Sequence, residues 1–412
     1  MKNSNSSKVA DYRALFACFK TTDRLSPETL SSPLVWNRKN ISIIVCEDDI
    51  ITYNTIIDKI FYGNKIISKR YTFDTFLREI NQFIVNLVKN NLGIDCESIQ
   101  GFEKKLIDAD EFKDTIMMPI YGVSLASKGS LKFGPFEIFD LEKSKMTSIE
   151  YLDVPNKGIF IAISDIRHSD TELAYNQALL KFYEFKYILQ YMNRYRNENN
   201  LVKFGTREQP DQSERLIYTD STDRYLIRQD TIVGSSMENK FIIPIDITNP
   251  SFANEGSGNA RIWELYTDYH KGIETKFANK IIRSIITSGK SMSSLDMSDA
   301  FIHLIIAYEI LLSYDEKSLF GTSFGQKLSE AFALLLGDNL ESRKFISSDI
   351  KDLYRIRSAL VHSDGKIPTP LQYQRALSYF QRIVRLLLTD DKLKGFQTIE
   401  ELNNHINELK FS

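Results

Sequence analysis

Residues 347–366 read SSDIKDLYRIRSALVHSDGK. Ser347, Ser348 and Asp349 offer N-capping groups. Ile350, Leu353, Tyr354, Leu360 and Val361 form an apolar stripe at helical spacing, and at about 100° per residue Arg357 falls within it. An arginine on a core-facing stripe must find a partner, because an unpaired buried charge is very costly. Two partners fit: a buried carboxylate, or a phosphate in a groove. His362 lies in the last turn, where the helix C-terminus favours the imidazolium form, and Ser-Asp-Gly is expected to end the helix at Gly365. Such a histidine suits proton transfer near neutral pH. A structural ion pair for Arg357 and a dipole-capping role for His362 explain the same residues.

Outward from this helix the chain stays helical. Ala260–Ser288, Met297–Ser313, Ser323–Leu336, Ser342–His362 and Thr369–Leu388 all carry helical periodicity with short polar connections. Five helices in about 130 residues make an all-α bundle. The run NPSFANEGSGN (249–259) gathers Pro, Gly, Ser and Asn and is read as the domain boundary.

Upstream the pattern is mixed. Residues 1–32 are expected to be a partly disordered tail, with residues 1–10 the most polar. Asn40–Cys46 reads as a strand, Phe73–Asn91 as a helix, and Ile116–Asp140 as a hairpin turning at Lys128-Gly-Ser. Gly158–Ile163 is expected to be a strand and Thr171–Met192 a long helix. Further strands are expected at Arg215–Tyr218, Tyr225–Arg228 and Lys240–Ile247. The fold class is therefore α+β: a mixed α/β domain over 33–250, then an all-α helical domain over 259–412.

Composition narrows the functional classes. The 412 residues are 42% hydrophobic, enough for two or three cores. Lys plus Arg total 52 against 54 Asp plus Glu, a net charge of −2, so the whole chain is no general polyanion binder. Nucleic acid would have to meet a local basic groove, and Arg375, Arg382 and Arg385 on one helix are candidates for it. Cys18, Cys46 and Cys96 are widely spaced and form no ligand set, which fits a reducing compartment. No apolar leader or spanning segment stands out, so a soluble cytoplasmic protein is expected, with no membrane partner.

Three other motifs carry less. Glu47, Asp48 and Asp49 after an apolar strand resemble an acidic receiver pocket, but the later partners are missing. Asp165, His168 and Asp170 have the residue types for a metal, yet a solvated loop fits them better. Glu255-Gly-Ser-Gly lacks dinucleotide-loop spacing and reads as linker. No metal or cofactor is expected.

The segment LYRIRSALVHSDG (353–365) resembles the signature helix of the ApeA-like branch of the HEPN superfamily, where a Tyr, an Arg-Ser pair and a Val-His before a small-residue turn recur. FIHLIIAYEILL (301–312) resembles the same branch, with Glu309 as the acidic residue before a Leu-rich end. The resemblance covers about residues 270–390. It implies a HEPN helical bundle that cleaves RNA without a metal, of a kind associated with phage defence by abortive infection. It makes Arg357 and His362 the R-x4-H pair, with Ser358, Glu309 and Tyr354 in support; many HEPN nucleases carry Asn, Asp or His where this chain has Ser358. It also implies a homodimer, since residues five apart stand about 140° apart around one helix, and a two-fold pair of helices would bring them together. The upstream domain would then sense a trigger, phage-derived or a nucleotide. The other reading is a catalytically silent HEPN module that binds a protein or nucleotide.

Overall fold

A computed structural model describes residues 2–22, 34–38, 41–45, 47–126, 128–143, 158–193, 202–204, 217–228, 231–242, 244–313, 324–362 and 367–411. The chain opens with α1 (Lys2–Ala17), β1 (Phe19–Thr22), β2 (Leu34–Arg38) and β3 (Ile41–Val45). Four helices follow: α2 (Ile50–Gly63), α3 (Ile67–Arg70), α4 (Phe73–Lys89) and α5 (Cys96–Ile107). Next come β4 (Phe112–Tyr121), β5 (Val123–Ser124), β6 (Ser130–Phe133), β7 (Phe136–Asp140) and β8 (Ile159–His168), then α6 (Thr171–Met192). Four strands precede the helical part: β9 (Lys203–Phe204), β10 (Ile217–Arg228), β11 (Thr231–Ile242) and β12 (Ile245–Asp246). The rest is helical: α7 (Asn259–Lys271), α8 (Lys276–Ser293), α9 (Met297–Leu312), α10 (Phe324–Leu336), α11 (Leu340–Val361), α12 (Pro370–Thr389) and α13 (Ile399–Phe411). The fold is thus mixed α+β, with the strands in the N-terminal half and helices in the C-terminal half.

Backbone contacts gather the chain into two units. The first holds Met1–Ile116 and Ser164–Leu179; the second holds Met117–Ile163 and Leu180–Ser412. The division falls inside β4, β8 and α6 rather than at 249–259. That run belongs wholly to the second unit because its turn is pinned. The Trp263 indole N–H donates to the Phe252 carbonyl at 3.0 Å, and Asn259 Nδ2 to the Ser251 carbonyl at 2.7 Å. Gly258 caps α7 at φ +81°, a left-handed conformation that suits glycine. The Gly-Ser-Gly stretch expected to be a linker is therefore a packed corner.

In the first unit, β1 and β2 flank β3 in an antiparallel sheet, and α1, α2, α4 and α5 supply the core through Tyr12, Leu15, Ile57, Phe76, Ile80 and Phe102. The polar N-terminus is helical, not a tail, because α1 buries Tyr12 and Leu15 and pairs Lys8 with the largely buried Glu103. Helix α4 follows its sequence pattern closely. Thr72 caps it by accepting from the Thr75 amide at 3.2 Å, and Phe76, Ile80 and Ile84 face inward.

Asp165, His168 and Asp170 also lie in this unit, and the solvated-loop expectation does not hold for two of them. His168 and Asp170 are each only 6% exposed. His168 Nε2 sits 2.9 Å from Asp114 Oδ2. Asp170 accepts from the Thr72 amide (2.8 Å) and from the hydroxyls of Thr72 and Thr75, joining the start of α4 to the start of α6. Asp165 pairs instead with Lys113 at 2.8 Å. These are structural bonds, and no cluster suited to a metal occurs among the described residues.

The five-stranded sheet runs β6-β7-β8-β4-β9, and its β6, β7 and β9 belong wholly to the second unit. The hairpin is β6–β7, turning at Gly134-Pro135, with Phe133 opposite Phe136. The expected pairing around Lys128-Gly-Ser is absent because β8 comes between β7 and β4. β10 (Ile217–Arg228) and β11 (Thr231–Ile242) pair antiparallel along their length, and β12 pairs in parallel with β5, where the sequence suggests three separate short strands. Phe133, Phe136, Phe185, Trp263 and Tyr266 make an aromatic cluster that fixes the β6–β7 hairpin to α6 and α7.

The helical part centres on Phe301, Tyr308, Phe332, Tyr373 and Phe380, all fully or almost fully buried. Tyr308 stacks on Phe380 at 5.8 Å and its hydroxyl donates to the Ala376 carbonyl. The single helix expected over Ala260–Ser288 is two, because Gly272 turns left-handed at φ +68° and Thr275 caps a new helix. A further helix, α13, follows the last one expected. None of the described helices is long and apolar enough to cross a membrane.

Candidate active site

Helix α11 carries most of the candidate residues. It begins earlier than the Ser347–Asp349 group, at a capping box in which Asn339 and Ser342 satisfy each other's backbone. Ile346, Ile350 and Leu353 are buried, so the apolar stripe holds along the first four turns. It then rises toward the surface: Arg357 and Leu360 are half-buried and Val361 is 49% exposed.

Arg357 sits where the stripe emerges. Its Nη2 lies 3.4 Å from Glu309 Oε1 on α9, and both side chains are 24% exposed. The guanidinium carbon stands 6.0 Å from the centre of the Tyr354 ring. Tyr354 itself packs on Phe324 and over Gly325, where a Cβ would come within 2.6 Å of the ring. Burial, then the neighbouring Glu309 carboxylate, raises the Tyr354 hydroxyl above the ordinary tyrosine value. Glu309, Tyr354 and Arg357 thus form one polar group bridging α9 and α11. Arg357 Nε is buried with no hydrogen-bond partner among the described residues, so the guanidinium is only partly satisfied.

His362 is the C-cap of α11 and is exposed. Its backbone N–H donates to the Ser358 carbonyl at 3.3 Å, which makes half-buried Ser358 part of the helix end. The expected Ser-Asp-Gly stop at 363–365 lies outside the described residues. Arg357 faces inward to Glu309 while His362 faces solvent, so one copy of the helix does not join them in a single cluster. Chemically, the arrangement offers a half-satisfied cation and, five residues on, an accessible imidazole.

The three arginines of α12 separate. Arg375 Nη2 is 3.2 Å from Asp349 Oδ1, and Asp349 is 8% exposed. Tyr379 shares this carboxylate: burial first, then Asp349 and the hydrogen bond to it, pushes the tyrosine hydroxyl up to about 12. Arg375 is therefore part of a structural network. Arg382 donates to the Leu336 carbonyl at 3.4 Å and lies 6.0 Å from the Tyr379 ring. Arg385 is exposed. Asp349, expected as a cap, is the residue that sequence reasoning misses. Its signal is its spacing, three after Ile346 and four before Leu353, which places a carboxylate on the buried stripe.

Neither protein-family models nor curated proteins nor solved structures match this chain.

Proposed function

We propose that the helical part of the second unit is a metal-independent endoribonuclease of the HEPN type, acting in phage defence by abortive infection under control of the upstream part of the chain. The observation that carries this reading is the Arg357–Glu309–Tyr354 group set five residues before an exposed histidine at a helix end. RNA supplies its own nucleophile, the 2′-hydroxyl. His362 would move the proton, and Arg357 would stabilise charge building on the phosphate. A phosphate can compete for Arg357, whose guanidinium is part-exposed and held at 3.4 Å by one carboxylate. Val361, Ile367 and Leu371, all within nine residues of His362 along the chain, are exposed apolar residues, which supports a second copy of the chain covering this part of it and completing the site.

The test is incubation of the pure protein with cellular RNA in EDTA, followed by end-group analysis. Cleavage leaving 2′,3′-cyclic phosphate or 3′-phosphate ends is expected, and its loss in His362→Ala. Strict magnesium dependence with 3′-hydroxyl ends would contradict the proposal.

The same ion pair favours a second reading. Glu309 and Arg357 also serve as a structural clasp between α9 and α11, as they would in a silent module that binds a protein or a nucleotide. That reading requires His362→Ala to change nothing in any RNA assay.

A further inference from the structure

Arg382 and Arg385 line a pocket of about 150 Å3 with Ser378 and Gln381 of the same helix and Ser257 and Asn259 at the start of α7. The corner at Gly258 builds this pocket. A Cβ there would lie 2.8 Å from Leu388 Cβ, so the turn carrying Ser257 and Asn259 is drawn hard against α12 beside Arg385. The Arg382 stack on Tyr379 and its single bond to the Leu336 carbonyl orient its guanidinium but leave most of its donors unused. The Arg385 guanidinium makes no hydrogen bond or ion pair among the described residues. No carboxylate lines the pocket among those residues either, so its formal charge is that of two arginines. Two like charges three residues apart on a helix repel, and an anion between them removes the repulsion. The Ser257 hydroxyl and the Asn259 amide donate to the Asn254 and Ser251 carbonyls and so hold the pocket wall in place. The two guanidinium forks, with the Ser378 hydroxyl beside them, match the oxygens of a phosphate.

We propose that this pocket binds the phosphate group of a nucleic-acid strand or a free nucleotide. It shares no residue with the Arg357 group, and the proposal concerns binding alone, so it stands or falls apart from the nuclease reading. The volume suits a phosphate and part of its sugar, with the base left outside.

The test is fluorescence anisotropy on the full chain with a labelled 2′-O-methyl oligoribonucleotide, which lacks the nucleophile and is not cut. We expect Arg385→Gln to weaken binding about tenfold and to reduce the slope of log affinity against log salt by about 0.7 for each phosphate no longer neutralised. Ser378→Asp, which places a carboxylate in the pocket, should weaken it at least as much. Arg355→Gln removes an equal charge from a side chain 79% exposed on α11 and should leave affinity within about twofold. Adenosine 5′-monophosphate serves as competitor. Displacement of the oligomer by the mononucleotide identifies the free nucleotide as the source of the phosphate; displacement by unlabelled oligomer alone identifies the strand. The proposal is overturned if neither probe binds the wild type. It also fails if Arg385→Gln and Ser378→Asp bind as well as wild type, or if Arg355→Gln loses as much as they do.

Discussion

Arg357 and His362 sit five residues apart but in opposite surroundings, and that difference can be read in stability. Replacing Arg357 by Ala leaves the Glu309 carboxylate half-buried beside Tyr354 without its cation. The expected cost is about 1–3 kcal/mol, visible as a lower denaturation midpoint. Exposed His362 holds only its own helix end, so His362→Ala should stay within about 0.5 kcal/mol of wild type. Under the nuclease proposal both variants lose RNA cleavage, and only the first loses stability. Retained cleavage in folded His362→Ala protein would defeat the assignment. Buried tyrosines set a second residue-level expectation. Burial raises Tyr53 to about 12 despite the hydrogen bond it donates to Asn81, and burial together with Asp349 takes Tyr379 to about 12. Each hydroxyl therefore holds its proton more tightly folded than unfolded, where the ordinary value is 10. The stability they contribute is complete below pH 10 and is lost as pH rises from 10 through 12. Melting temperature should fall across that window, and less steeply in Tyr379→Phe. Equal slopes in the variant and wild type would show that Tyr379 plays no part.

Between elements, glycine marks where backbones touch. A Cβ at Gly289 on α8 would lie 1.8 Å from the Tyr187 carbonyl oxygen on α6. Backbone cannot swing aside as a side chain can, so Gly289→Ala should cost about 3 kcal/mol or more and lower the melting temperature sharply. Gly101 lies inside α5 with nothing near its missing Cβ, and Gly101→Ala should instead stabilise by about 0.5–1 kcal/mol. A neutral Gly289→Ala would mean that α6 and α8 part more easily than their packing implies. Helices α4, α9 and α12 are legible in the sequence because caps and apolar period agree there. The break at Gly272 is not, because apolar residues continue on both sides of it and periodicity alone does not report it. Strand pairing is less legible still: β8 enters between β7 and β4 from a distant part of the chain, a choice that no local pattern encodes. In the candidate site, the position of Arg357 on the stripe can be read directly, while its partner Glu309 comes from the family resemblance. The bond from Arg375 to Asp349 depends on how α11 meets α12 and is not legible.

For the whole molecule, the nuclease proposal requires two copies, since one α11 turns Arg357 inward and His362 outward. Sedimentation at working concentration should show a dimer. Leu371→Lys, which charges an apolar side chain 75% exposed nine residues after His362, should shift the protein to monomer and remove cleavage together. An active wild-type species that stays monomeric would refute the composite site. The interrupted first unit has a consequence for biosynthesis. Its two segments, Met1–Ile116 and Ser164–Leu179, are separated by 117–163 of the other unit. Thr72 and Thr75 leave the ribosome long before Asp170, the carboxylate that receives their hydrogen bonds. The nascent first unit must wait unfinished while forty-seven foreign residues are translated. Its apolar core, drawn from α1, α2, α4 and α5, is already synthesised by then; what stays open is the polar joint at Asp170, and the speed of translation through 117–163 sets how long the start of α4 lacks its carboxylate.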